Sequence, residues 1–320
     1  MKNQNKIIAV VFFAIAALMS AMEFLYVADR YPIGFFSALL AFEILLTFTA
    51  SAVFIVGTAI KSRTVLITAE GIFAGAAGIS LISAVMRSGA MIGHDIALLA
   101  HGPVSAAALT AMVIMIIYTT GALKNKYVPA SLMTLALVAQ LCRAALGGTA
   151  FSATVYVTEA LIFSALTVMA LYPDISGKRQ VKTAEMLWLS FATFGVYLAV
   201  WAASIVKKMA ALTGKSDWMA KAVMFILFSP YRIYWYYTTY EEQETFKNRG
   251  IFLSAVSAFG TALSAVTALS GMPEASLSGF GVSIVALALI QRDLNSLVTE
   301  EVIAVSAEAE TEAAEPETEE

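Results

Sequence analysis

Three ionisable residues recur at an even spacing in the first half of the chain. Glu43, His101 and Glu159 lie 58 positions apart, and each lies within a long apolar segment. An ionisable side chain at membrane depth costs roughly 2.5–3.5 kcal/mol, so such residues usually face the interior of a helix bundle and find partners there. One interpretation is a polar path or ligand pocket. The other is hydrogen bonding between helices that serves only the fold.

Three arginines show a similar spacing. Arg30, Arg87 and Arg143 are separated by 57 and 56 positions, and each lies near the outer end of an odd-numbered apolar segment. In the first interpretation these cations attract anions to the outer mouth of the path. In the second they pair with the glutamates, for example Arg143 with Glu159. Further polar residues at membrane depth are expected as partners, namely Glu23, Glu70 and Gln140.

The two spacings together predict three tandem hairpins, residues 7–63, 64–127 and 128–182. Each hairpin crosses the membrane and returns, so the three copies share one orientation and are parallel repeats. Any chain of regular hairpins repeats its hydropathy at this spacing. The evidence for duplication is therefore the register of the ionisable residues.

The second hairpin carries two local features. Gly71, Gly75 and Gly78 form a stripe of small residues, which predicts close packing between helices. His101 has only His94 as a second imidazole nearby in sequence, and metal sites normally need three or four ligands. We therefore predict no metal site.

The composition is that of an integral membrane protein. The chain is 59% hydrophobic and 13% charged, whereas soluble domains are roughly 45–50% apolar and about 25% charged. A helix needs about 20 apolar residues to cross the hydrocarbon core, and only helices satisfy their own backbone hydrogen bonds at these lengths. We predict an all-α, polytopic helical bundle with ten membrane-spanning helices, near residues 7–27, 33–60, 64–86, 96–118, 128–146, 150–172, 185–206, 219–240, 250–270 and 277–291.

Lys and Arg residues in short loops predict the orientation of these helices. With the N-terminus in the cytoplasm, the first six helices place nine basic residues inside and three outside. An even number of crossings then makes the C-terminus cytoplasmic as well, in a multi-pass protein of the cell membrane. The first segment stays apolar through Tyr26 and so has spanning length, which favours a retained helix over a cleaved signal peptide. The inside set is Lys2, Lys6, Lys61, Arg63, Lys124, Lys126, Lys178, Arg179 and Lys182, and the outside set is Arg30, Arg87 and Arg143.

Residues 298–320 form an acidic tail with nine Glu and no Lys or Arg. The tail has no aromatic residue and no apolar period, so we expect it to be disordered and solvated. The alternative is a docking segment for a basic cytoplasmic partner. The rest of the chain has 20 basic and 14 acidic residues. These basic residues are scattered between apolar segments, which argues against nucleic-acid binding.

An aromatic motif appears twice in the second half, 34 residues apart. Both copies read F-x-x-Y-x-x-x-W, and this spacing puts three rings on one helical face. Because Trp and Tyr prefer the membrane–water interface, we expect that face at the lipid headgroups. Arg232 is expected to snorkel to the headgroups, with a cation–π contact as the alternative. The motif residues are Thr193, Phe194, Gly195, Tyr197 and Trp201 in the first copy, and Phe228, Pro230, Tyr231 and Trp235 in the second.

Residues 185–297 resemble a membrane family catalogued as domain of unknown function 4234. The family has a T-x-G-[IV]-Y-x-x-x-W helix, often a second such helix, and a closing helix that ends in Q-x-x-L-N. Here the closing element carries Gln291 and Asn295. The second copy departs from the pattern, because Pro230 follows a serine where glycine is usual. The resemblance implies no activity, and residues 1–182 show no comparable likeness.

Gly195 and Pro230 leave two topologies open for residues 185–206 and 219–240. If both segments span, Lys207, Lys208 and Lys215 lie outside, against the positive-inside rule. If each segment turns back at its Gly or Pro, all basic loops stay cytoplasmic. The length of the segments favours spanning, because irregular backbone at membrane depth must be buried in protein or line a cavity.

No sequence motif for catalysis is present. The chain has no P-loop, no G-x-S-x-G, no H-E-x-x-H and a single cysteine, Cys142. We therefore predict a non-enzymatic membrane component, such as a scaffold, sensor or assembly partner, with no catalytic residue and no cofactor. The alternative is a transporter or channel-like protein that moves a small solute or protons through the first six helices. The lipid bilayer is the one partner that the sequence indicates, and it does not indicate an oligomeric state.

Overall fold

The structure is a computed structural model that describes residues 4–32, 34–90, 96–146, 149–171, 182–212, 217–241, 247–269, 281 and 284–296. These residues form helices and short connections, and none of them lies in a β-strand. The chain divides into two compact units, residues 2–172 and residues 173–320. His94 and the acidic tail, residues 298–320, lie outside the described residues.

The first unit has six helices that are long and apolar enough to cross a membrane. They coincide with the first six predicted spans, because uninterrupted apolar runs of this length leave the backbone no other way to satisfy its hydrogen bonds in lipid. The length and apolar composition of these six helices support a membrane location. Their bounds are α1 Gln4–Arg30, α2 Phe35–Ile60, α3 Arg63–Ala90, α4 Ile96–Thr119, α5 Tyr127–Leu146 and α6 Ala150–Leu171.

The six helices form a closed ring. Each helix packs against its neighbours in sequence, and α6 packs back against α1. The helix order gives the ring two distinct ends. We call the end with Lys6, Lys61, Arg63, Lys124 and Lys126 the basic end. We call the opposite end, where α1 connects to α2 and α5 connects to α6, the pocket end.

A layer of large apolar side chains crosses the interior in the half nearer the basic end, where Glu70 is also buried. Phe13 and Phe54 stack with ring centroids 4.5 Å apart, and Phe73 packs against Phe163 at 5.5 Å. All four rings are at most 2% exposed, as is Met133. Large, fully buried rings dominate the burial of apolar surface here. This layer therefore separates the basic end from the polar side chains deeper in the ring.

Helices α1, α3 and α5 turn corresponding residues toward the core, and these residues are spaced 60 positions apart. Four rows of residues at this spacing are all buried. The predicted register of 56 to 57, which aligned the three arginines, differs from this one: Arg143 is 3% exposed and Arg30 is exposed. Burial follows the core face of each helix rather than the position of its charge. The rows are Phe13, Phe73 and Met133; Ala16, Ala76 and Ala136; Ser20, Ser80 and Gln140; and Glu23, Ser83 and Arg143.

The glycine stripe of α3 does not pack closely, so that prediction is wrong for this unit. A Cβ built on Gly71 or Gly78 meets nothing within 4 Å, and one on Gly75 meets only a leucine methyl at 3.8 Å. The close approach occurs instead at Gly57 of α2. A Cβ there lies 3.0 Å from Cδ2 and 3.2 Å from the backbone nitrogen of Leu66. Gly57 therefore sets the distance between α2 and α3.

Most of the described helices of the second unit are shorter than those of the first. Three of them have only 10 to 13 residues, and at 1.5 Å per residue such a helix covers roughly 15–20 Å of a ~30 Å core. Ten uninterrupted spans are therefore not confirmed. The predicted segments 185–206 and 219–240 are each broken into two helices. The bounds are α7 Thr183–Ala192, α8 Val196–Leu212, α9 Trp218–Leu227, α10 Ser229–Glu241 and α11 Lys247–Leu269, followed by a helical segment at 284–296.

The break between α7 and α8 is a Schellman turn. The Gly195 N–H donates to the Ser190 carbonyl at 2.8 Å, and the Phe194 N–H donates to the Phe191 carbonyl at 3.1 Å, which is the bond pair that defines this motif. Phe194 adopts the left-handed conformation with φ 52°. Glycine is usual at that position, because a side chain there costs roughly 1–2 kcal/mol. Gly195 follows with φ 84°.

The break between α9 and α10 lies at Phe228. Pro230 is the second residue of α10, where a helix needs no N–H donor, so it starts this helix rather than kinking a longer one. Of the two expectations for Arg232, the cation–π contact is present, with its guanidinium carbon 5.9 Å from the centroid of the Phe225 ring. Its Nε donates to the Phe225 carbonyl at 2.6 Å and its Nη2 to the Ile226 carbonyl at 2.8 Å. The guanidinium thus satisfies two of the last carbonyls of α9.

Candidate functional site

A buried polar cluster joins α4, α5 and α6 in the half of the ring nearer the pocket end. The Gln140 side-chain amide donates to the Glu159 carboxyl, and its carbonyl accepts from Nη1 of Arg143 at 3.4 Å. Nη2 of Arg143 donates to Nδ1 of His101. Because Nδ1 accepts, a neutral His101 carries its proton on Nε2. One arginine therefore orients both an imidazole and, through Gln140, a carboxyl.

Arg143 is held from a further side by an aromatic ring. Its guanidinium carbon lies 3.9 Å from the centroid of the Tyr156 ring. A planar guanidinium stacks well on such a face, and the attraction strengthens when water is excluded. The stacking and the two hydrogen bonds explain how a charged side chain that is 3% exposed is tolerated.

Two carboxyls meet at the centre of the cluster. The carboxyls of Glu43 of α2 and Glu159 of α6 lie close enough to interact. Two such carboxyls share a hydrogen bond only when one of them holds a proton, because an ionised carboxylate only accepts. Glu23 of α1 lies in the same layer, where it accepts a 2.6 Å hydrogen bond from the Thr158 hydroxyl. The layer thus contains three buried carboxyls and one buried arginine.

A cavity of about 180 Å³ reaches this cluster from the pocket end. Tyr31 and Thr149 belong to the connections at this end, and Glu43 and His101 line the cavity from α2 and α4. Its wall is rich in hydroxyl groups, which suits hydrogen bonding to a polar guest. The complete lining is Tyr31, Leu40, Glu43, Ser83, His101, Thr149, Phe151, Ser152, Val155 and Tyr156.

The structure brings four of the six predicted path residues together: Glu43, His101, Glu159 and Arg143. Arg30 is not among them, because it ends α1 and pairs with Asp29 at 3.2 Å, with 70% of its side chain exposed. The structure does not describe the side chain of Arg87. The interpretation that the three arginines attract anions to the mouth of a path therefore has little support, because Arg143 is hydrogen-bonded within the cluster.

Several residues of the site carried no strong signal in the sequence. Tyr156 and Ser83 are common residue types in apolar helices and stand out only by position. Glu23 was expected at membrane depth, and the 60-residue register aligns it with Ser83 and Arg143. Among the described residues, no three His, Cys, Asp or Glu side chains lie close enough to hold a metal ion.

The family motif forms a second polar connection, within the second unit. The Trp201 Nε1–H donates to the Gln291 side-chain carbonyl at 3.0 Å, and the Gln291 amide donates to Oδ1 of Asn295 at 3.0 Å. Trp201 and Gln291 are at most 2% exposed. The motif helix and the closing helix are therefore tied by a buried hydrogen-bond chain across 90 residues of sequence.

Thr193 explains the spacing of the T-x-G-x-Y element. Its hydroxyl donates to the Leu189 carbonyl at 2.7 Å and accepts from the Tyr197 N–H at 2.9 Å. One side chain thus caps the end of α7 and the start of α8, while Gly195 makes the turn between them. In this geometry, T-x-G-x-Y describes a capped helix break.

The aromatic rings do not share one interfacial face as predicted. Tyr197 and Trp201 are at most 1% exposed, whereas Phe194 is 50% exposed, because it lies in the turn rather than in a helix. The second copy repeats this arrangement. Phe228 lies in a break and is exposed, and Trp235 is buried with its ring 5.0 Å from that of Phe225. The motif therefore serves packing around each break.

Comparisons with known proteins give no relative. No family model matches the sequence, and neither a curated protein nor a solved structure matches it. The resemblance to domain of unknown function 4234 therefore stays a prediction that rests on the motif residues.

Proposed function

We propose that the first unit is a non-enzymatic sensor of the cell membrane that binds a small polar solute in the cavity at the pocket end. The observation that carries this proposal is the cavity itself. It reaches Glu43 and His101, two side chains whose partners hold them in place before any solute arrives. Preorganised polar groups in a concave site are the usual form of a binding pocket.

The size and charge of the cavity restrict the solute. A volume of about 180 Å³ has room for a small solute together with ordered water. The Glu43–Glu159 pair carries one negative charge when it holds one proton. Arg143 is held by His101, Gln140 and Tyr156 and does not line the cavity, so Glu43 is the carboxyl that a solute would meet. We infer a small solute that donates strong hydrogen bonds, such as a primary ammonium compound.

The apolar layer beneath the cluster favours binding over passage. Phe13 with Phe54, and Phe73 with Phe163, fill the ring between the cluster and the basic end. A charged solute at the level of Glu43 meets packed rings on that side. The pocket end is its route both in and out.

Ligand-dependent stabilisation tests the binding proposal. Protein in nanodiscs is heated with a panel of small ammonium compounds and with neutral and carboxylate analogues of matched size. Ammonium compounds should raise the unfolding temperature, because a ligand that binds only the folded state stabilises it. Glu43→Gln should abolish the shift. Glu70→Gln, which changes a buried carboxyl outside the cavity, should retain it.

Proton-coupled transport is a second candidate, supported by the close approach of the buried Glu43 and Glu159 carboxyls. A carboxyl pair that exchanges one proton suits coupling between proton and solute movement. Reconstitution in liposomes separates the two candidates. Solute-driven acidification of the lumen that Glu159→Gln abolishes supports transport, whereas binding without movement supports the sensor.

The orientation and the second unit complete the proposal. With the basic end in the cytoplasm, as the positive-inside rule favours, the pocket end faces outward and both termini lie inside after ten crossings. The second unit then serves as an assembly domain, and the acidic tail is either solvated or binds a basic partner. Cysteines at Tyr31 and Lys124 test the orientation, with the exposed native Cys142 first replaced by serine. Only Tyr31→Cys should react with an impermeant reagent in intact cells.

A further inference from the structure

A second cavity lies at the basic end of the first unit and is independent of the proposed solute pocket. It has a volume of about 260 Å³ and is bounded by the start of α1, the α2–α3 connection and the end of α6. Three of its seven lining residues are cations. The lining consists of Lys6, Lys61 and Arg63, with Gly57, Thr58, Leu66 and Met169.

Thr58 gives a specific sign that this cavity takes a ligand. Its side chain is 7% exposed, and its hydroxyl has no hydrogen-bond partner among the described residues. Thr47 and Ser51, also buried in α2, instead donate to the carbonyl four residues earlier at 2.9 Å. A buried hydroxyl without a partner is costly and uncommon in native structures. A hydrogen-bond acceptor in the cavity would remove that cost.

Lys61 brings a cation to the cavity from the end of α2. It follows α2 in the left-handed conformation, with φ 57° and ψ 32°. The Ser62 N–H donates to the Gly57 carbonyl at 3.1 Å, so this conformation is that of a helix cap. Lys61 itself lines the cavity. Arg63 is also fixed, since its Nε donates to the Thr119 carbonyl.

We propose that this cavity binds the phosphate of an anionic phospholipid headgroup. The three cations supply the charge, and the Thr58 hydroxyl supplies a donor to a phosphate oxygen. Leu66 and Met169 provide an apolar wall for the first part of an acyl chain. The lipid is favoured over free phosphate because the cavity lies at the ends of helices that are long and apolar enough to cross a membrane.

Lipid binding by full-length protein in nanodiscs tests this site. Native mass spectrometry counts retained lipids in discs of phosphatidylcholine alone and in discs that also contain phosphatidylglycerol. Wild-type protein should retain phosphatidylglycerol preferentially. Lys61→Gln should weaken that retention about fivefold, which corresponds to roughly 1 kcal/mol per basic residue at a membrane surface. Lys61→Arg should restore it, and Lys124→Gln, which removes a charge from the same end outside the cavity, should leave it unchanged.

Thr58→Val separates a ligand site from a merely basic surface. The change keeps the shape and removes the unpartnered hydroxyl, so the unfolding temperature in phosphatidylcholine should not fall. Retention of phosphatidylglycerol should fall about tenfold, as expected for a lost hydrogen bond to a charged group. Equal retention of the two lipids by wild type, or unchanged retention in both Lys61→Gln and Thr58→Val, would overturn the proposal. Stabilisation by inorganic phosphate in phosphatidylcholine discs that Thr58→Val abolishes would assign the site to free phosphate instead.

Discussion

Arg143 and Glu159 are joined through the side chain of Gln140, which accepts a hydrogen bond from the arginine and donates one to the carboxyl. The sequence predicted that the two charges would pair across the third hairpin. The intervening amide instead holds each charge in place and leaves the second carboxyl, Glu43, in contact with Glu159. The geometry of the pocket therefore depends on a neutral residue.

Replacing that residue should destabilise the first unit. Gln140→Leu keeps most of the volume but removes partners from a buried guanidinium and a buried carboxyl. We expect a loss of about 2–3 kcal/mol in the free energy of unfolding, because buried charged groups without partners are costly. Reversible unfolding in mixed micelles measures it. The double variant with Glu159→Gln should lose less than the sum of the two single changes. Additive losses would show that the amide does not couple to Glu159.

Two glycines in neighbouring helices should respond in opposite ways to the same substitution. Gly57→Ala places a methyl group 3.0 Å from Leu66 and should destabilise the protein by about 1–3 kcal/mol. Gly71→Ala meets nothing within 4 Å and should stabilise α3 by about 0.5–1 kcal/mol. Thermal unfolding of both variants in the same detergent provides the comparison. A destabilising Gly71→Ala would restore the predicted stripe, with a packing partner for that face.

The hydroxyl of Thr193 should matter more than its size. Thr193→Val loses a donor to α7 and an acceptor for α8 and should cost about 1–2 kcal/mol, the range of a lost helix cap. Thr193→Ser keeps the hydroxyl and should cost much less. Chemical denaturation, followed by the fluorescence of the buried Trp201, measures both variants. Equal losses would mean that the methyl group, not the capping, is what the site needs.

The link between Trp201 and Gln291 should show as coupling. Trp201→Phe removes the N–H, and Gln291→Leu removes its acceptor along with the donor to Asn295. Each single change leaves a buried polar group without its partner and should cost about 1–3 kcal/mol. The double variant should cost clearly less than the sum. Independent, additive effects would contradict a direct hydrogen bond.

Hydropathy was sufficient to predict the first six helices, because in lipid a long apolar run has essentially one way to satisfy its backbone. It did not identify the two breaks, because the length of both segments favoured spanning and only Gly195 and Pro230 pointed to the alternative. It did not reveal the register of the odd-numbered helices. Matching positions on α1, α3 and α5 are those whose side chains face the core, so Arg143 matches Ser83 and Glu23 rather than Arg30.

The remaining features depend on contacts that no local pattern encodes. The left-handed Phe194 follows from the Schellman turn and contradicts the usual preference for glycine. Arg232 carries a charge that suggests lipid headgroups, yet carbonyls six and seven positions earlier accept its hydrogen bonds. The cavity at the pocket end requires that side chains from several helices converge. Glu43 and His101 could be named from sequence as candidates, but not as walls of one cavity.

Chemical modification of a cysteine at Ser83 tests whether the pocket is open and negatively charged. Ser83 lines the cavity, and the exposed native Cys142 is first replaced by serine. Two thiol reagents of equal length are compared, one bearing an ammonium and one a sulfonate. Ser80→Cys, at a buried position one turn away that lies outside the cavity lining, is the control. We expect Ser83→Cys to react with the ammonium reagent at least about fivefold faster, equivalent to roughly 1 kcal/mol of attraction to the Glu43–Glu159 pair, and Glu43→Gln to abolish that preference. No reaction at Ser83→Cys, or equal rates with the two reagents, would contradict a cation-selective pocket.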